Sequence, residues 1–364
     1  MEGLVAVPVP TGKLIDVSGR RVLITGHTGF KGAWLAEWLL QRGATVYGVA
    51  LPPEGSDSLF ECLQLEHRLS HHICDIRNQQ ALQTVVRMAS PDLVFHLAAQ
   101  ALVRRSYREP NLTWETNVAG TLNVLEALRA LDKSVVVVAV TTDKVYRNRE
   151  WEHPYREVDE LGGLDPYSAS KAACELAVAS WRASFGGSCG VTVVTARAGN
   201  VIGGGDHSED RIVPDCFRSW ARGAAVMVRN PGATRPWQHV LEPLSGYLAL
   251  AHHADEHGSG IETCNFGPGP DGSRTVSELV SALAKMEDGR RWTIASDRGP
   301  HEANSLALSI DRARIRLGWV PALAFDETLQ WTNAAYSVPR PALTDVVREQ
   351  VAEYDRRRRA EPCA

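Results

Sequence analysis

The sequence lacks the features that would place the chain in a membrane or outside the cell. No stretch approaches the roughly 18 consecutive apolar residues that span a bilayer, and residues 1–20 have no basic start followed by a long apolar run. The seven cysteines are scattered without a CxxC pair, which argues against a disulfide framework and a zinc site. We therefore expect a protein of the reducing cytoplasm, without a membrane partner or a bound metal.

A basic surface is also missing. The formal net charge is -4, so the chain has no field that would attract nucleic acid, and we expect no such partner. The one dense basic run, residues 356–359, stands near the C-terminus, where we predict a solvated tail. With 44% hydrophobic and 23% charged residues, the composition is that of an ordinary globular protein.

The first half of the chain alternates short apolar runs with longer segments of helical spacing. The runs at residues 21–25, 45–50, 93–97, 134–140 and 191–197 are rich in Val, Ile and Leu, as in strands covered on both faces. Residues 32–42, 78–88, 116–131 and 167–185 have helical spacing. This βαβ alternation predicts an α/β fold with a doubly wound, Rossmann-type parallel sheet.

The alternation becomes irregular after Gly199, where Gly-, Pro- and Asp-rich connections become frequent. We predict a dinucleotide-binding domain over residues 1–199, with residues 1–20 as an extension. A smaller substrate-binding lobe would follow over residues 200–345, and a tail over residues 346–364. Strands after Gly223 and near residues 262–266 are candidates to return to the main sheet.

A glycine-rich loop directly follows the first predicted strand and leads into an apolar helix. Glycines in such a loop let the backbone approach a pyrophosphate, whose charge is stabilised by the helix N-terminus. A plain strand-to-helix turn is the alternative, because a lone glycine loop is a weak signal. The candidate cofactor-binding residues of the loop are Gly26, Thr28, Gly29, Phe30, Lys31 and Gly32.

Three further segments stand where strands of such a sheet end, the side on which these folds bind ligands. Small residues there leave room for a flat cofactor, and Asp75 could accept a hydrogen bond from an adenine amino group. The segments supply the candidate cofactor-binding residues Asp75, Ile76, Ala98, Ala99, Gln100 and Asn117.

The second strand does not end in the acidic residue that usually binds a ribose hydroxyl, but in Ala50-Leu51-Pro52-Pro53. The local sequence therefore leaves NAD and NADP open. Lys31 could favour the 2′-phosphate of NADP, or it could be a solvated or packing residue.

A catalytic centre is indicated by Thr142, at the end of the fourth strand listed above, and by Tyr167 and Lys171. The last two are four residues apart and share one face of a helix. A lysine ammonium beside a phenol, with a positive nicotinamide ring nearby, would lower the pKa of the phenol toward working pH. Tyr167 could then act as the base for a sugar hydroxyl that Thr142 also binds. An exposed helix pair is the alternative for a YxxxK spacing alone.

These residues resemble the extended short-chain dehydrogenase/reductase family, and the resemblance covers nearly the whole chain. Within that family, 4,6-dehydratases carry Asp-Glu or a close variant after the strand-end hydroxyl residue, whereas sugar 4-epimerases generally lack it. With residues 26–32, 197–206 and 235–247, the Asp143-Lys144 version is similar to the 4,6-dehydratases that act on CDP-glucose.

The resemblance implies NAD as cofactor and a hydro-lyase reaction of deoxysugar biosynthesis, from CDP-D-glucose to CDP-4-dehydro-6-deoxy-D-glucose and water. Tyr167 would take the C4 hydroxyl proton as hydride passes to NAD. Asp143 and Lys144 would then supply the acid and the base that eliminate water across C5 and C6, before hydride returns to C6. The resemblance also implies a homodimer formed through the helices at residues 116–131 and 167–185.

The proposed roles of Asp143 and Lys144 in the elimination require two conditions. As an ion pair they would be catalytically idle, so the elimination needs the neutral tautomer, which a desolvated pocket favours over two charges. Neighbours in a regular strand also point to opposite faces, so the chain must leave strand geometry there.

For the sugar nucleotide, the resemblance favours Asn200 and Arg235, while Arg211 offers a further cation for the diphosphate. His301 matches a late diphosphate-facing segment of the family. Two rival functions remain at this stage. One is a nucleotide-sugar 4-epimerase or reductase on the same fold, in which Asp143 and Lys144 are a structural pair. The other is a non-catalytic dinucleotide-binding protein, whose mark would be the loss of Tyr167 or Lys171.

Overall fold

The computed structural model describes residues 12–55, 57–269, 272–296 and 305–360. Apolar residues in the strands are buried almost throughout, as in β5, where all six residues of the sequence VVVVAV are buried. The strands are β1 (Arg21–Thr25), β2 (Thr45–Ala50), β3 (Ser70–Ile73), β4 (Leu93–His96), β5 (Val135–Val140), β6 (Val191–Ala198), β7 (Val201–Ile202), β8 (Val226–Val228), β9 (Thr234–Pro236), β10 (Gln238–His239), β11 (Thr263–Phe266), β12 (Ser273–Thr275) and β13 (Trp292–Ile294).

The helices follow the strands as the predicted alternation requires. They are α1 (Phe30–Gln41), α2 (Leu59–Cys62), α3 (Gln79–Ala89), α4 (Val103–Arg108), α5 (Pro110–Trp114), α6 (Gly120–Arg129), α7 (Pro166–Phe185), α8 (Ile212–Trp220), α9 (Leu241–His257), α10 (Val276–Ala284), α11 (Phe325–Tyr336) and α12 (Arg340–Ala360). Short 3₁₀ or π turns cover Leu65–His67, Glu115–Ala119, Asp143–Val145, Gly258–Gly260 and Ala313–Leu317.

Seven strands form one parallel sheet in the order β11-β6-β5-β4-β1-β2-β3. The strand order reverses between β1 and β4, and ligands of such sheets bind in the crevice outside the carboxyl ends at this point. The α/β, doubly wound prediction is confirmed. The strand near residues 262–266 is β11, which pairs with β6, whereas β8 pairs with β13 outside the main sheet.

Helices cover both faces of the sheet. One core layer contains Trp34 and Trp38 of α1 and side chains of α9 and α12. The other contains side chains of α3, α6 and α7, including Trp181. Ile15 and Val17, which precede β1, are fully buried in the first layer, so this part of the N-terminal extension belongs to the core.

The basic run near the C-terminus is not the solvated tail that the sequence predicts. It forms the last turn of α12, which packs on α1 and α11. The Arg358 side chain is 3% exposed and lies 3.5 Å from the carboxylate of Glu242 in α9. The prediction fails here because a run of like charges does not reveal a buried carboxylate more than a hundred residues away. None of the described helices is long and apolar enough to cross a membrane.

Candidate functional site

The glycine loop between β1 and α1 forms a tight cradle. Gly26 has a positive φ of 79°, and a Cβ placed on it would lie 2.8 Å from the backbone nitrogen of Ala98 in the loop after β4. A Cβ on Gly32 would lie 2.2 Å from the carbonyl oxygen of Gly26. At Gly29, by contrast, that oxygen, 3.4 Å away, is the nearest neighbour, and the Cβ direction is otherwise open.

This cradle fits a dinucleotide pyrophosphate. Gly29 caps α1 without a side-chain hydrogen bond, so the first amides of the helix are left for an external acceptor. Thr28 closes the loop against the end of β2 by donating its hydroxyl to the Leu51 carbonyl at 3.0 Å.

The loop opens into a continuous cleft of about 990 Å³ along the carboxyl ends of the sheet strands. Nearly all predicted site residues that the structure describes line this cleft together. They are Gly26, Thr28, Gly29, Phe30, Lys31, Gly32, Asp75, Ile76, Ala98, Ala99, Gln100, Thr142, Asp143, Lys144, Tyr167, Lys171, Asn200, Arg211 and Arg235. His301 lies outside the described residues.

Asn117 departs from its predicted place, because it is fully buried and does not line the cleft. Its carboxamide accepts from the Gln100 backbone N–H at 2.9 Å and donates to the Gln100 carbonyl at 3.1 Å. It also donates to the Ser170 hydroxyl at 2.9 Å. Asn117 therefore supports the loop after β4 and the start of α7 from behind.

Asp75 lines the adenine end of the predicted cofactor site, with its carboxylate already engaged. Arg77 donates to it from its guanidinium at 2.6–3.1 Å and from its backbone N–H at 2.9 Å. Arg77, mainly through these side-chain hydrogen bonds, holds the pKa of Asp75 below its ordinary value. The charged form of Asp75 is thus stable, with Arg77 as its partner.

Lys31 packs against α9, in agreement with the packing alternative. Its ammonium lies 3.5 Å from the hydroxyl of Tyr247 in α9. Burial, together with the charge of Arg211, lowers the pKa of Lys31 to about 7, against the opposite effect of Asp143. The side chain therefore reaches the reaction centre, and the 2′-phosphate role for Lys31 is not supported.

Thr142 and Asp143 are packed into the turn that follows β5. The chain enters a 3₁₀ turn at Asp143–Val145, with Thr142 as its N-cap. The Thr142 hydroxyl donates to Asp143 Oδ1 at 2.9 Å and accepts from the Lys144 backbone N–H at 3.3 Å. The condition that the chain leave strand geometry is met here.

Asp143 is 1% exposed, and its Oδ2 atom has no hydrogen-bond partner among the described residues. An unpaired buried carboxylate oxygen is costly. Its position in the lining of the cleft makes it available to a ligand, and Lys144 lines the same cleft.

Tyr167 and Lys171 lie at the start of α7, where Asp165 is the N-cap and accepts from the Ser168 N–H at 2.9 Å. Burial raises the pKa of Tyr167 to about 12, and a hydrogen bond with Thr142 and the charge of Arg211 offset only part of that rise. Lys171 donates to the Val140 carbonyl at 3.2 Å, and burial lowers its pKa.

The expected effect of Lys171 together with the nicotinamide ring on the pKa of Tyr167 stays a prediction. In the protein without NAD, burial outweighs the groups that lower this pKa, among which Thr142 and Arg211 are the largest. Lys171 holds the end of β5 through its bond to Val140.

The other half of the cleft is lined by arginines. Arg235 is 8% exposed and donates to the Thr234 carbonyl at 2.9 Å, while Arg211 lies 3.8 Å from Asp206. Asn200 Oδ1 is buried without a hydrogen-bond partner in the described part of the chain. A site with these donors suits the diphosphate of a sugar nucleotide.

Sequence reasoning missed Arg104 and Arg229, which line the same half and both bind Asp210, at 3.4 and 3.0 Å. The signal for Arg104 was its place shortly after β4, in Arg104-Arg105. Tyr247, which ends the segment 235–247 that carried the resemblance, is fully buried behind the cleft, where its hydroxyl meets Lys31.

The reversal of strand order, the glycine cradle and the buried Thr-Tyr-Lys centre define a nicotinamide-dependent enzyme of the short-chain dehydrogenase/reductase type. Within that class, the chain belongs to the GDP-mannose 4,6 dehydratase family, whose profile matches residues 23–332. The prediction of a nucleotide-sugar 4,6-dehydratase, a hydro-lyase, is confirmed by this membership.

The chain is also similar to one sequence relative and to two solved structures of nucleotide-sugar enzymes. It is 44% identical over 318 residues to the CDP-glucose 4,6-dehydratase of Salmonella typhimurium strain LT2, covering 85% of this chain and 89% of the relative. The NAD complex of UDP-glucose 4-epimerase from Thermus thermophilus has a TM-score of 0.71 at 26% identity, over 87% of this chain and 99% of that one.

The dTDP-glucose 4,6-dehydratase of Bacillus anthracis strain Ames, also with NAD, has a TM-score of 0.72 at 20% identity, over 86% of this chain and 95% of that one. At this identity the likeness supports the fold. NAD, the cofactor that the family resemblance implies, is present in both solved structures.

Proposed function

We propose that this chain uses NAD to convert CDP-D-glucose into CDP-4-dehydro-6-deoxy-D-glucose and water. The observation that carries the proposal is the 3₁₀ turn that brings Asp143, with a free carboxylate oxygen, into the cleft beside Thr142. The 44% identity to a CDP-glucose 4,6-dehydratase supports cytidine as the base. We also propose that residues 1–199 hold the cofactor and residues 200–345 the nucleotide sugar.

NAD fits the cradle of Gly26, Gly29 and Gly32. When bound, it supplies the hydride acceptor for C4, the later hydride donor for C6, and a positive ring that favours an ionised phenol. The residues at the rest of the cleft bind and orient the substrate: Asn200, Arg211 and Arg235 take the diphosphate and sugar hydroxyls. In this arrangement the C4 hydroxyl lies within reach of both Thr142 and Tyr167.

Tyr167 takes the proton from the C4 hydroxyl, while Thr142 holds the same oxygen. The resulting 4-ketone acidifies the hydrogen on C5. Lys144 then removes the C5 proton, and Asp143 protonates the C6 hydroxyl so that it leaves as water. When hydride is delivered to C6, Lys144 returns its proton to C5, which gives the 6-deoxy-4-ketone. Asp143 is 1% exposed and lines the same cleft as Lys144, so both groups lie where a bound sugar would be reached.

The direct test incubates the protein with CDP-glucose and NAD and follows the sugar nucleotide by mass spectrometry. We expect a product lighter by one water, with faster turnover of CDP-glucose than of dTDP-glucose or GDP-mannose. A sugar nucleotide of unchanged mass would contradict the proposal, and epimerisation at C4 would favour the 4-epimerase alternative.

The variant Lys144→Met separates the two halves of the reaction. Without the base, C4 oxidation should continue and elimination should fail, so NADH accumulates on the protein in a single turnover. Product formation at the wild-type rate would remove Lys144 from the role of base.

We further propose a homodimer in the cytoplasm. Apolar side chains stand exposed on the helices of one face, among them Trp114 in α5 and Leu176 and Phe185 in α7, which are 41%, 62% and 37% exposed. The six cysteines in the described part of the chain are all free, which suits a reducing compartment. Light scattering after size-exclusion chromatography tests the dimer, and Leu176→Glu should shift it toward monomer.

A further inference from the structure

A buried ion pair behind the reaction centre joins helix α7 to strand β6. Glu175, one turn beyond Lys171 in α7, accepts from Arg197 of β6 at 2.9 and 3.0 Å. The side chains are 3% and 4% exposed, and neither residue lines the cleft. Burial acts to raise the pKa of Glu175, but Arg197 and the other donors outweigh it and hold the pKa below its ordinary value. The pair is therefore charged without contacting a ligand.

Two further hydrogen bonds of this pair run to the two ends of the catalytic turn. The Thr141 hydroxyl, directly before Thr142, donates to Glu175 Oε1 at 2.5 Å. On the far side of the turn, the Tyr146 hydroxyl accepts from Arg197 at 2.8 Å. Residues 141 and 146 thus tie both ends of the Thr142–Val145 segment to one rigid pair.

The Tyr146 end of the turn is fixed by further contacts. Its hydroxyl donates to Asn265 Oδ1 of β11 at 2.7 Å, and its ring stacks on Tyr155 with the centroids 5.1 Å apart. Arg197 also lies over the Tyr146 ring, 4.9 Å from the centroid. The hydroxyl therefore has both a donor and an acceptor, in one orientation.

Stability alone does not account for this arrangement. A buried ion pair often stabilises a fold no more than apolar side chains of the same volume would, because both charges lose their hydration. Here, however, the carboxylate lies in the helix that carries Tyr167 and Lys171, while its bonds reach the segment that carries Asp143 and Lys144. The pair therefore connects the helix of the proposed C4-oxidising residues to the segment of the proposed eliminating residues.

We propose that Glu175 and Arg197 are positioning residues. Through Thr141 and Tyr146, they hold the turn that carries Asp143 and Lys144 in a fixed position relative to Tyr167. This inference rests on the proposed dehydratase function. Elimination needs an acid and a base at the C5–C6 bond while the C4 oxygen stays bound near Tyr167. It therefore depends on the relative position of the turn and α7 more strongly than C4 oxidation does.

The test compares three variants that each remove one hydroxyl and keep the side-chain shape. Thr141→Val and Tyr146→Phe break the two bonds to the catalytic turn. Thr195→Val is the matched control, because the buried Thr195 hydroxyl donates to Glu175 at 2.8 Å but also bonds Thr263, away from the turn. All three variants lose a hydrogen bond of the same buried network.

For Thr141→Val and Tyr146→Phe we expect kcat for dehydration to fall by roughly 10- to 100-fold, the scale of a displacement of about 1 Å in a catalytic group. KM for CDP-glucose should stay within about threefold, since the phosphate-binding arginines are untouched. In a single turnover NADH should accumulate, because C4 oxidation continues while elimination is slow. Thr195→Val should keep the wild-type kinetics, and its melting temperature should fall as much as those of the other two.

Two results would overturn the positioning role: equal loss of kcat in all three variants, or wild-type kinetics in all three with lower melting temperatures. Either would leave the pair with a purely structural part. A wild-type protein that releases no water from CDP-glucose contradicts the proposed function itself, and that outcome is read before any variant is compared.

Discussion

Substitution by alanine should have different effects at two glycines of the loop after β1: it should lower stability at Gly32 and weaken NAD binding at Gly29. In Gly32→Ala, the new methyl group would lie 2.2 Å from the Gly26 carbonyl oxygen and 2.7 Å from the Cα of His27. Gly26 is itself closely packed, because a Cβ placed on it would lie 2.8 Å from the backbone nitrogen of Ala98. The helix must therefore move away from the loop by about 1 Å, which is overpacking at a backbone contact.

Overpacking of this kind costs about 1–3 kcal/mol, and backbone on both sides favours the upper end. Since the unfolding entropy is about 2.1 cal/mol/K per residue, 1 kcal/mol shifts the melting temperature of a 364-residue chain by about 1.3 °C. At the upper end of the cost we expect Gly32→Ala to melt about 3–4 °C below the wild type without NAD. The measurement is a thermal unfolding curve of the protein without ligand.

Gly29→Ala is the matched variant, with ordinary backbone angles of φ -80° and ψ 169° and an open Cβ direction. Its stability should stay within about 1 kcal/mol of the wild type, because the gain from a stiffer unfolded chain offsets a poorer helix cap. The methyl group stands where the pyrophosphate would approach α1. Losing one such charge-assisted hydrogen bond, about 1.5–3 kcal/mol, weakens NAD binding roughly 10- to 100-fold.

Calorimetric titration with NAD completes the comparison. If Gly29→Ala binds NAD as tightly as the wild type, the pyrophosphate does not lie on this loop. If Gly32→Ala melts with the wild type, the close approach of α1 to Gly26 is wrong.

Two further substitutions test charges that the fold buries. Lys31→Met should stabilise the protein at pH 7 by about 1–3 kcal/mol, because the folded protein disfavours the ammonium that the unfolded chain carries. Between about pH 7 and pH 10.5, Lys31 is protonated in the unfolded wild-type chain but largely neutral in the folded protein, so the stability of the wild type rises with pH. The variant should lack this contribution, and urea midpoints of both proteins at pH 7 and pH 9 measure the difference. Arg358→Met leaves the Glu242 carboxylate buried without its cation and should cost about 3 kcal/mol or more; an unchanged urea midpoint would show that the pair contributes nothing.

The main sheet was predictable because most of its strands are continuous runs of apolar residues in the sequence. Most of the predicted strand boundaries agree with the structure within a residue or two. β3 was missed because its sequence, Ser-His-His-Ile, contains no apolar run. It is an edge strand in which no residue is buried. α12 was read as a tail because its mean character is polar. It is a helix in the fold since side chains such as Val347, Val351 and Tyr354 pack into the core.

Site residues were predictable where the chemistry is local in sequence, as in the glycine loop and the Tyr167–Lys171 spacing. The directions in which the side chains point were not predictable from the sequence. Lys31 meets Tyr247, which is 216 residues away, and Asn117 turns inward because Gln100 offers it both a donor and an acceptor. Such directions depend on what packs behind each element, which no local pattern records.

The pKa of Tyr167 leads to a prediction about the cofactor. Burial raises this pKa to about 12, against the opposite effects of the Thr142 hydrogen bond and the charge of Arg211, so we expect the phenol to act as a base only when NAD is bound. A further positive charge is therefore needed, and oxidised NAD carries one. Once the ring is reduced that charge is gone, so Tyr167 keeps the proton it took from the C4 hydroxyl, and the ketone persists while water is eliminated. Ultraviolet difference titration of the wild type against Tyr167→Phe should then show a tyrosinate below pH 11 with saturating NAD and none without it. A Tyr167 that ionises at or below the ordinary value of about 10 in the protein without NAD would refute this coupling.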